Sequence, residues 1–164
     1  MASHPQTLRV LVLASTYPAR PGDGTPSFVR DLAVGMTGDT EVRILVPAVP
    51  GGPAVEESDG IRVRRYRFFF RRWEDLAHGA LLENVRSKKS RLLQVPTMLI
   101  AQFFAIRKEV RTFRPHVIHA HWVFPQGFVA RMAAPRVPTV VTTLGGDLYA
   151  LRDPFFVRIK RSVL

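Results

Sequence analysis

Cysteine is absent from all 164 residues, which excludes a disulfide framework and any thiolate metal site. Acid is scarce as well: thirteen Asp and Glu stand against twenty-four Lys and Arg, for a formal net charge of +11. No apolar run is long enough and free enough of charge to span a bilayer; the longest, Leu92 to Phe113, is interrupted by Pro96 and basic in its second half. Met1 to Thr7 have neither a basic start nor an apolar stretch, so no secretory leader is expected and a cytoplasmic location fits. H-E-x-x-H, G-x-S-x-G, a Ser-His-Asp order and paired carboxylates are all missing. Zinc hydrolysis, covalent serine chemistry and carboxylate-pair hydrolysis therefore lack support.

What is present suits one α/β domain. The chain is 46% apolar, and a domain of this size buries roughly two-thirds of the surface its unfolded form exposes. Its positive charge is uneven: fourteen Lys or Arg face four acidic residues between Ile61 and Arg114, while the rest is nearly balanced. A patch facing an anionic surface or substrate is one reading; a set of solvated faces is the plainer one. Nucleic acid ranks last, because no recognition motif or stacking platform accompanies the charge.

The apolar run Leu8 to Ala14 predicts a central parallel strand covered on both faces. Turn chemistry follows (Pro18, Pro21, Gly22, Gly24), then Thr25-Pro26 as cap and first helical residue of an amphipathic helix through Phe28, Val29, Leu32, Ala33 and Met36. A glycine before a helix start lets backbone N–H groups approach a phosphate, although these glycines could equally only close the loop. Glu41 to Pro47 predicts a second strand, Ala48 to Gly60 a loop, and Ile61 to Tyr66 a half-exposed strand near a sheet edge whose basic side chains discourage pairing. A long crossover helix is expected from near Pro96 to before Pro115. The aromatic and basic stretch from Tyr66 to Phe104 could instead lie on an anionic membrane.

The organising stretch is Arg114 to Asp147. His116 to His119 and Thr139 to Thr142 read as two short buried strands with a helix from Phe124 to Ala134 between them, a βαβ unit. Loops at the carboxyl ends of parallel strands open onto a shared crevice. They carry His121, Trp122, Pro125 and Gly127 after the first strand, and Gly145, Gly146 and Asp147 after the second. An indole beside polar groups is a platform for a sugar ring, or else a core plug. Gly145-Gly146-Asp147 allows close approach to a ligand, or forms a tight turn with an Asp cap. His119 and His121 share a strand face at a spacing metal sites use, with Asp147 as the third ligand such a site would need. Asp153-Pro154 opens a last helix that runs to Leu164 without a stop, so residues 1–164 are expected to be a domain cut from a longer chain. Val141→Asp is expected to unfold it.

These motifs resemble a known family. Tyr17-Pro18 with Gly24-Thr25-Pro26-Ser27-Phe28-Val29, the run from Arg114 to Trp122 with Pro125 and Gly127, and Val140 to Asp147 are similar to the N-terminal, acceptor-side domain of GT-B-fold, family-4 (group-1) glycosyltransferases. The resemblance implies a single Rossmann-like three-layer α/β sandwich with a mostly parallel sheet. It implies a retaining transferase of hexosyltransferase type, moving a sugar from a nucleotide-sugar donor to a glycan or lipid-linked acceptor with no required metal or cofactor. A C-terminal nucleotide-sugar domain, for which this chain has no room, would supply the rest of the cleft, and the piece alone would be inactive. By the same resemblance Gly24 and Thr25 approach the donor diphosphate, His121 and Trp122 line the acceptor side, and Gly145, Gly146 and Asp147 border the reacting sugar. Leu144 stands where the family usually has histidine. Basic surface over 61–114 fits peripheral contact with the anionic inner face of a membrane. The alternative is a free-standing, non-enzymatic module binding an anionic glycan or such a surface.

Overall fold

The computed structural model describes residues 7–20, 22–70, 74, 76, 89–149 and 154–164, with the backbone alone at 89, 90, 147, 148 and 155. Six strands form one sheet: β1 (Leu8–Leu13), β2 (Thr40–Pro47), β3 (Val55–Ser58), β4 (Ile61–Tyr66), β5 (Val117–His121) and β6 (Thr139–Thr142). Their order is β3-β4-β2-β1-β5-β6, and every pairing is parallel except β3 with β4. The helices are α1 (Phe28–Met36), α2 (Gln94–Thr112), α3 (Phe128–Ala133), α4 (Gly146–Tyr149) and α5 (Pro154–Val163).

β1 has the sequence of a strand covered on both faces, and it is. Val10 and Val12 pack with Val29 and Ala33 of α1 and with Ile44, Val46 and Val63 on one face. Leu11 and Leu13 pack on the other with Met98 and Ile106 of α2 and Val129 and Ala130 of α3. Each such side chain contributes about 1.5–3 kcal/mol when fully buried. The two faces make three layers, the mostly parallel Rossmann-like sandwich that the family resemblance implied. Among the described residues no helix is long and apolar enough to cross a membrane.

The chain leaves β1 toward β2 on one side, and α2 then carries it back across to β5 on the other. The order reverses between β1 and β5, and a crevice opens outside the carboxyl ends of strands at such a point.

Several elements differ from expectation. Within the predicted loop 48–60, β3 forms the antiparallel edge, so β4 lies next to the edge, as expected, but is covered by β3 and more buried than a half-exposed strand. Val-Glu-Glu-Ser has no apolar alternation to announce it. The expected helix from Phe124 begins only at Phe128, after a wide turn over Val123–Gly127 in which Phe124 is extended. α1 starts at Phe28 rather than at Thr25-Pro26. β6 is an edge strand and only half-buried, with Val140 exposed, so the expectation of a second fully buried strand fails there. α5 begins at Pro154 as expected, while Asp153, the run from Ala77 to Lys88 and Pro21 lie outside the described residues.

Candidate functional site

Three loops meet at the carboxyl end of the sheet, and side chains bind each to the next. Trp122 leaves β5 with φ +88°, a backbone conformation that bulky residues rarely adopt. Its N–H donates to the Thr142 carbonyl at the end of β6 (2.9 Å), and its carbonyl accepts from Gly127 N–H (3.1 Å). The indole lies over Gly146, where an added Cβ would meet ring carbons at 3.2 and 3.5 Å. A glycine at 146 is thus what brings the β6 loop against the ring. Gly145, at φ +78°, makes the turn that precedes it. The backbone of Asp147 follows in α4; its side chain lies outside the described residues.

His121 is buried, 1% exposed, and neither ring nitrogen has a hydrogen-bond partner among the described residues. Its ring stands 4.4 Å, centroid to centroid, from that of His119 and meets Phe28 at the start of α1 edge-on at 5.8 Å. Burial, and then the neighbouring His119, pushes the His121 imidazole down to about 4. Burial lowers His119 too, whose Nε2 is 2.7 Å from Thr142 Oγ1. Both rings are therefore neutral at pH 7. His116 sits apart at the amino end of β5, where Nδ1 accepts from Arg9 N–H (3.0 Å). Among the described residues no group of three or more His, Asp or Glu is gathered to hold a metal.

In the β1–α1 loop, Gly22 and Gly24 have φ of +77° and +78°, and space is open beside both Cα atoms. Asp23 between them organises the turn by accepting from the N–H groups of Ala19 (2.6 Å), Thr25 (2.9 Å) and Arg20 (3.3 Å). Those bonds, Thr25 first, hold its carboxyl down at about 2. The Thr25 N–H is consequently occupied, while the space beside Gly22 and Gly24 stays open. The loop forms one wall of a cleft of about 630 Å³ closed by Tyr17, Arg30, Glu56 and Asp59.

Two residues that build the site escaped the sequence reading. Gln126, fully buried, bridges the β1 and β5 loops when its amide is turned to suit its neighbours. The nitrogen then donates to the His121 carbonyl (3.2 Å) and the oxygen accepts from Ser15 N–H (3.1 Å). Nothing in a glutamine after a proline signals that. Arg65 is the other: its buried guanidinium donates to the carbonyls of Pro18 (2.7 Å) and Pro53 (3.2 Å) and pairs with Glu56 (3.0 Å). Strand parity could have found it, since 61, 63 and 65 share the apolar face.

Of the expected site residues, Trp122, Gly145 and Gly146 share one rim with the backbone of Asp147. His121 lies beneath it against α1, and Gly24 and Thr25 lie across the crevice in the loop that leads into α1. Leu144, part-exposed at this rim, brings no polar side chain.

Comparison with known proteins agrees with this fold. A profile of the glycosyl transferase 4-like domain matches residues 23–164. Sucrose-phosphate synthase from Thermosynechococcus elongatus superposes with a TM-score of 0.60 at 13% identity, over 96% of this chain and 40% of the synthase chain. A second structure of that enzyme, restricted to part of its sequence, gives 0.60 at 15% identity over 95% of this chain and 71% of that one. The chain thus spans less than half the length of the first synthase structure, and the likeness is one of fold. No curated protein matches by sequence. With Gly24 and Thr25, the strand-end histidines, the indole and the paired glycines all inside the matched span, the chain belongs to the glycosyl transferase 4-like family, as its motifs implied.

Proposed function

We propose that this glycosyltransferase domain is the acceptor-side half of a retaining hexosyltransferase that uses a nucleotide-sugar donor. The observation that carries the reading is the convergence of three loops at the carboxyl end of the sheet, with the indole of Trp122 against Gly146 and His121 against the start of α1. A part-buried indole beside glycine backbone suits the face of a sugar ring. Neutral imidazoles beneath it avoid placing a fixed cation under a neutral glycan. Gly24, with open space at its Cα, is the point where the donor diphosphate approaches, and Thr25, whose N–H and hydroxyl both bond to Asp23, holds the turn beside it. Gly145, Gly146 and Asp147 border the transferred sugar. By the family resemblance the donor is held chiefly by a second α/β domain and no metal is required; the lack of cysteine supports a cytoplasmic place for the domain.

The test is binding to the chain itself. Saturation-transfer NMR with a panel of oligosaccharides should detect at least one ligand, and Trp122→Ala should weaken it by about tenfold with the fold retained. Tight binding of a nucleotide sugar to this chain alone, with no glycan bound, would overturn the division of labour.

One observation favours a second reading, contact with an anionic membrane at its inner face. Leu93, Ile100 and Phe104 are exposed along one side of α2 and its approach, and Arg107, Lys108 and Arg111 follow on its exposed last turns. A lipid-linked acceptor would combine both readings. Failure to sediment with anionic vesicles at low salt would remove this one.

A further inference from the structure

A cluster of cations lies away from the crevice, in a recess of about 530 Å³ between α2 and the β2–β4 ladder. Parallel register sets Arg43 of β2 beside Arg62 of β4, and Arg64 follows two residues on, on the same face. Lys108 and Glu109 of α2 complete the lining. Glu109 is nearly fully buried and uses both carboxylate oxygens: one accepts from Arg64 (2.7 Å), the other from Arg43 (3.5 Å). One carboxylate cannot neutralise two guanidiniums. Arg43 is also stacked on the Phe113 ring, 4.2 Å from its centroid, which fixes its plane without removing its charge. Lys108 has no acidic partner among the described residues. Outside the recess, Glu41 reaches Arg43 (3.7 Å) and Glu57 reaches Arg62 (3.6 Å), but both acids are largely exposed and screen weakly.

From this arrangement we propose that the recess binds the phosphate group of a small phosphate ester or diphosphate. The Arg64 contact to Glu109 uses Nη1 only, so its remaining N–H donors are available to fork onto phosphate oxygens. Glu109 acts as a brace: it holds two guanidiniums in place before the ligand arrives, so little side-chain entropy is lost on binding. The volume falls within the range of small-molecule sites. Lys108, one turn before the end of α2, adds a point charge from the helix side. Since α2 delivers the chain to the amino end of β5, the recess lies toward the opposite end of the sheet from the crevice. It is a separate site, an anchor or a regulatory input rather than part of the sugar-handling rim. The phosphate could belong to a soluble ester or to a phospholipid headgroup, for Phe104, Arg107 and Arg111 lie exposed beside Lys108.

The experiment is calorimetric titration of the chain with inorganic pyrophosphate, paired with flotation on phosphatidylcholine vesicles with and without phosphatidic acid. Saturable pyrophosphate binding is expected, weakened about tenfold by Lys108→Glu and hardly changed by Arg161→Glu, the same charge reversal at an exposed position on α5. With no acidic partner to lose at Lys108, that variant should fold, and circular dichroism checks it. Binding to acidic vesicles that pyrophosphate competes away would assign the phosphate to lipid; pyrophosphate binding without vesicle binding would assign it to a soluble ester. No saturable heat, equal weakening by both variants, or vesicle binding that pyrophosphate does not compete would each overturn the site. None of those results would touch the crevice reading, which rests on glycan binding.

Discussion

Between pH 6.5 and about 4 the unfolded chain binds a proton at His121 that the folded chain refuses, because burial and then the His119 ring hold its imidazole neutral. The folded value lies below the unfolded one, so the stabilisation is complete above about 6.5 and is lost as pH falls through that window. The slope from one such group is at most about 1.4 kcal/mol per pH unit. Urea midpoints measured from pH 7 to 4 should therefore fall, and His121→Phe, which fills the place beside Phe28 without a titrating group, should flatten the fall. An unchanged slope in the variant would mean that the imidazole is not held neutral by the fold. At this scale the sequence was informative where chemistry stands at strand ends. His121, Trp122 and Gly146 were legible because polar, aromatic and glycine residues directly after an apolar run have few reasons to be there. Gln126 was not, since its role is a set of long-range bonds to a carbonyl and an amide that no local pattern encodes; for Arg65, strand parity marks the buried position but not the carbonyls it reaches.

Elements meet closely where Gly127 ends the wide turn after β5. A Cβ there would lie 2.9 Å from Val163 Cγ1 on α5 and 3.3 Å from Val141 Cγ2 on β6. Hydrogen is the only side chain that lets α5 and the β5–α3 turn share this space, so α5 depends for its seat on a residue far from it in sequence. Gly127→Ala should cost about 1–3 kcal/mol by overpacking, read as a lowered urea midpoint. Adding Val163→Ala should recover part of that loss, because it removes the methyl that the new Cβ strikes. A double variant no more stable than Gly127→Ala alone would argue against this packing. The elements themselves were mostly readable: β1, β2, β4 and α2 each have the apolar period their environment demands. β3 was not, because its residues Val55 to Ser58 are held by the ladder to β4 rather than by an apolar face. The start of α3 was misread for a related reason. Phe124 fits a helix pattern, yet it serves the turn that carries Gln126 to the β1 loop.

For the molecule as a whole, the order of strands decides how much each can bear. The alternation of strands and helices was sufficient to predict a mostly parallel sheet and a crevice shared by the loops after β5 and β6, but not the reversal of order between β1 and β5 or which strand would be outermost. β5 sits between β1 and β6, and Ile118 is fully buried against α2 and α3. β6 has a neighbour on one side only among the described residues, and Val141 is half-buried. A carboxylate at Ile118 would have neither water nor a partner, a cost of several kcal/mol that approaches the whole stability of a domain this size. At Val141 the same group can turn toward solvent and retain much of its hydration. Ile118→Asp should therefore abolish cooperative unfolding and native near-ultraviolet dichroism. Val141→Asp should leave a folded domain with a lower urea midpoint, contrary to what a buried second strand would require. If instead Val141→Asp unfolds the protein as completely as Ile118→Asp, β6 is an inner strand in the folded molecule, and the rim built from Trp122 and Gly146 is more enclosed than this sheet order gives it.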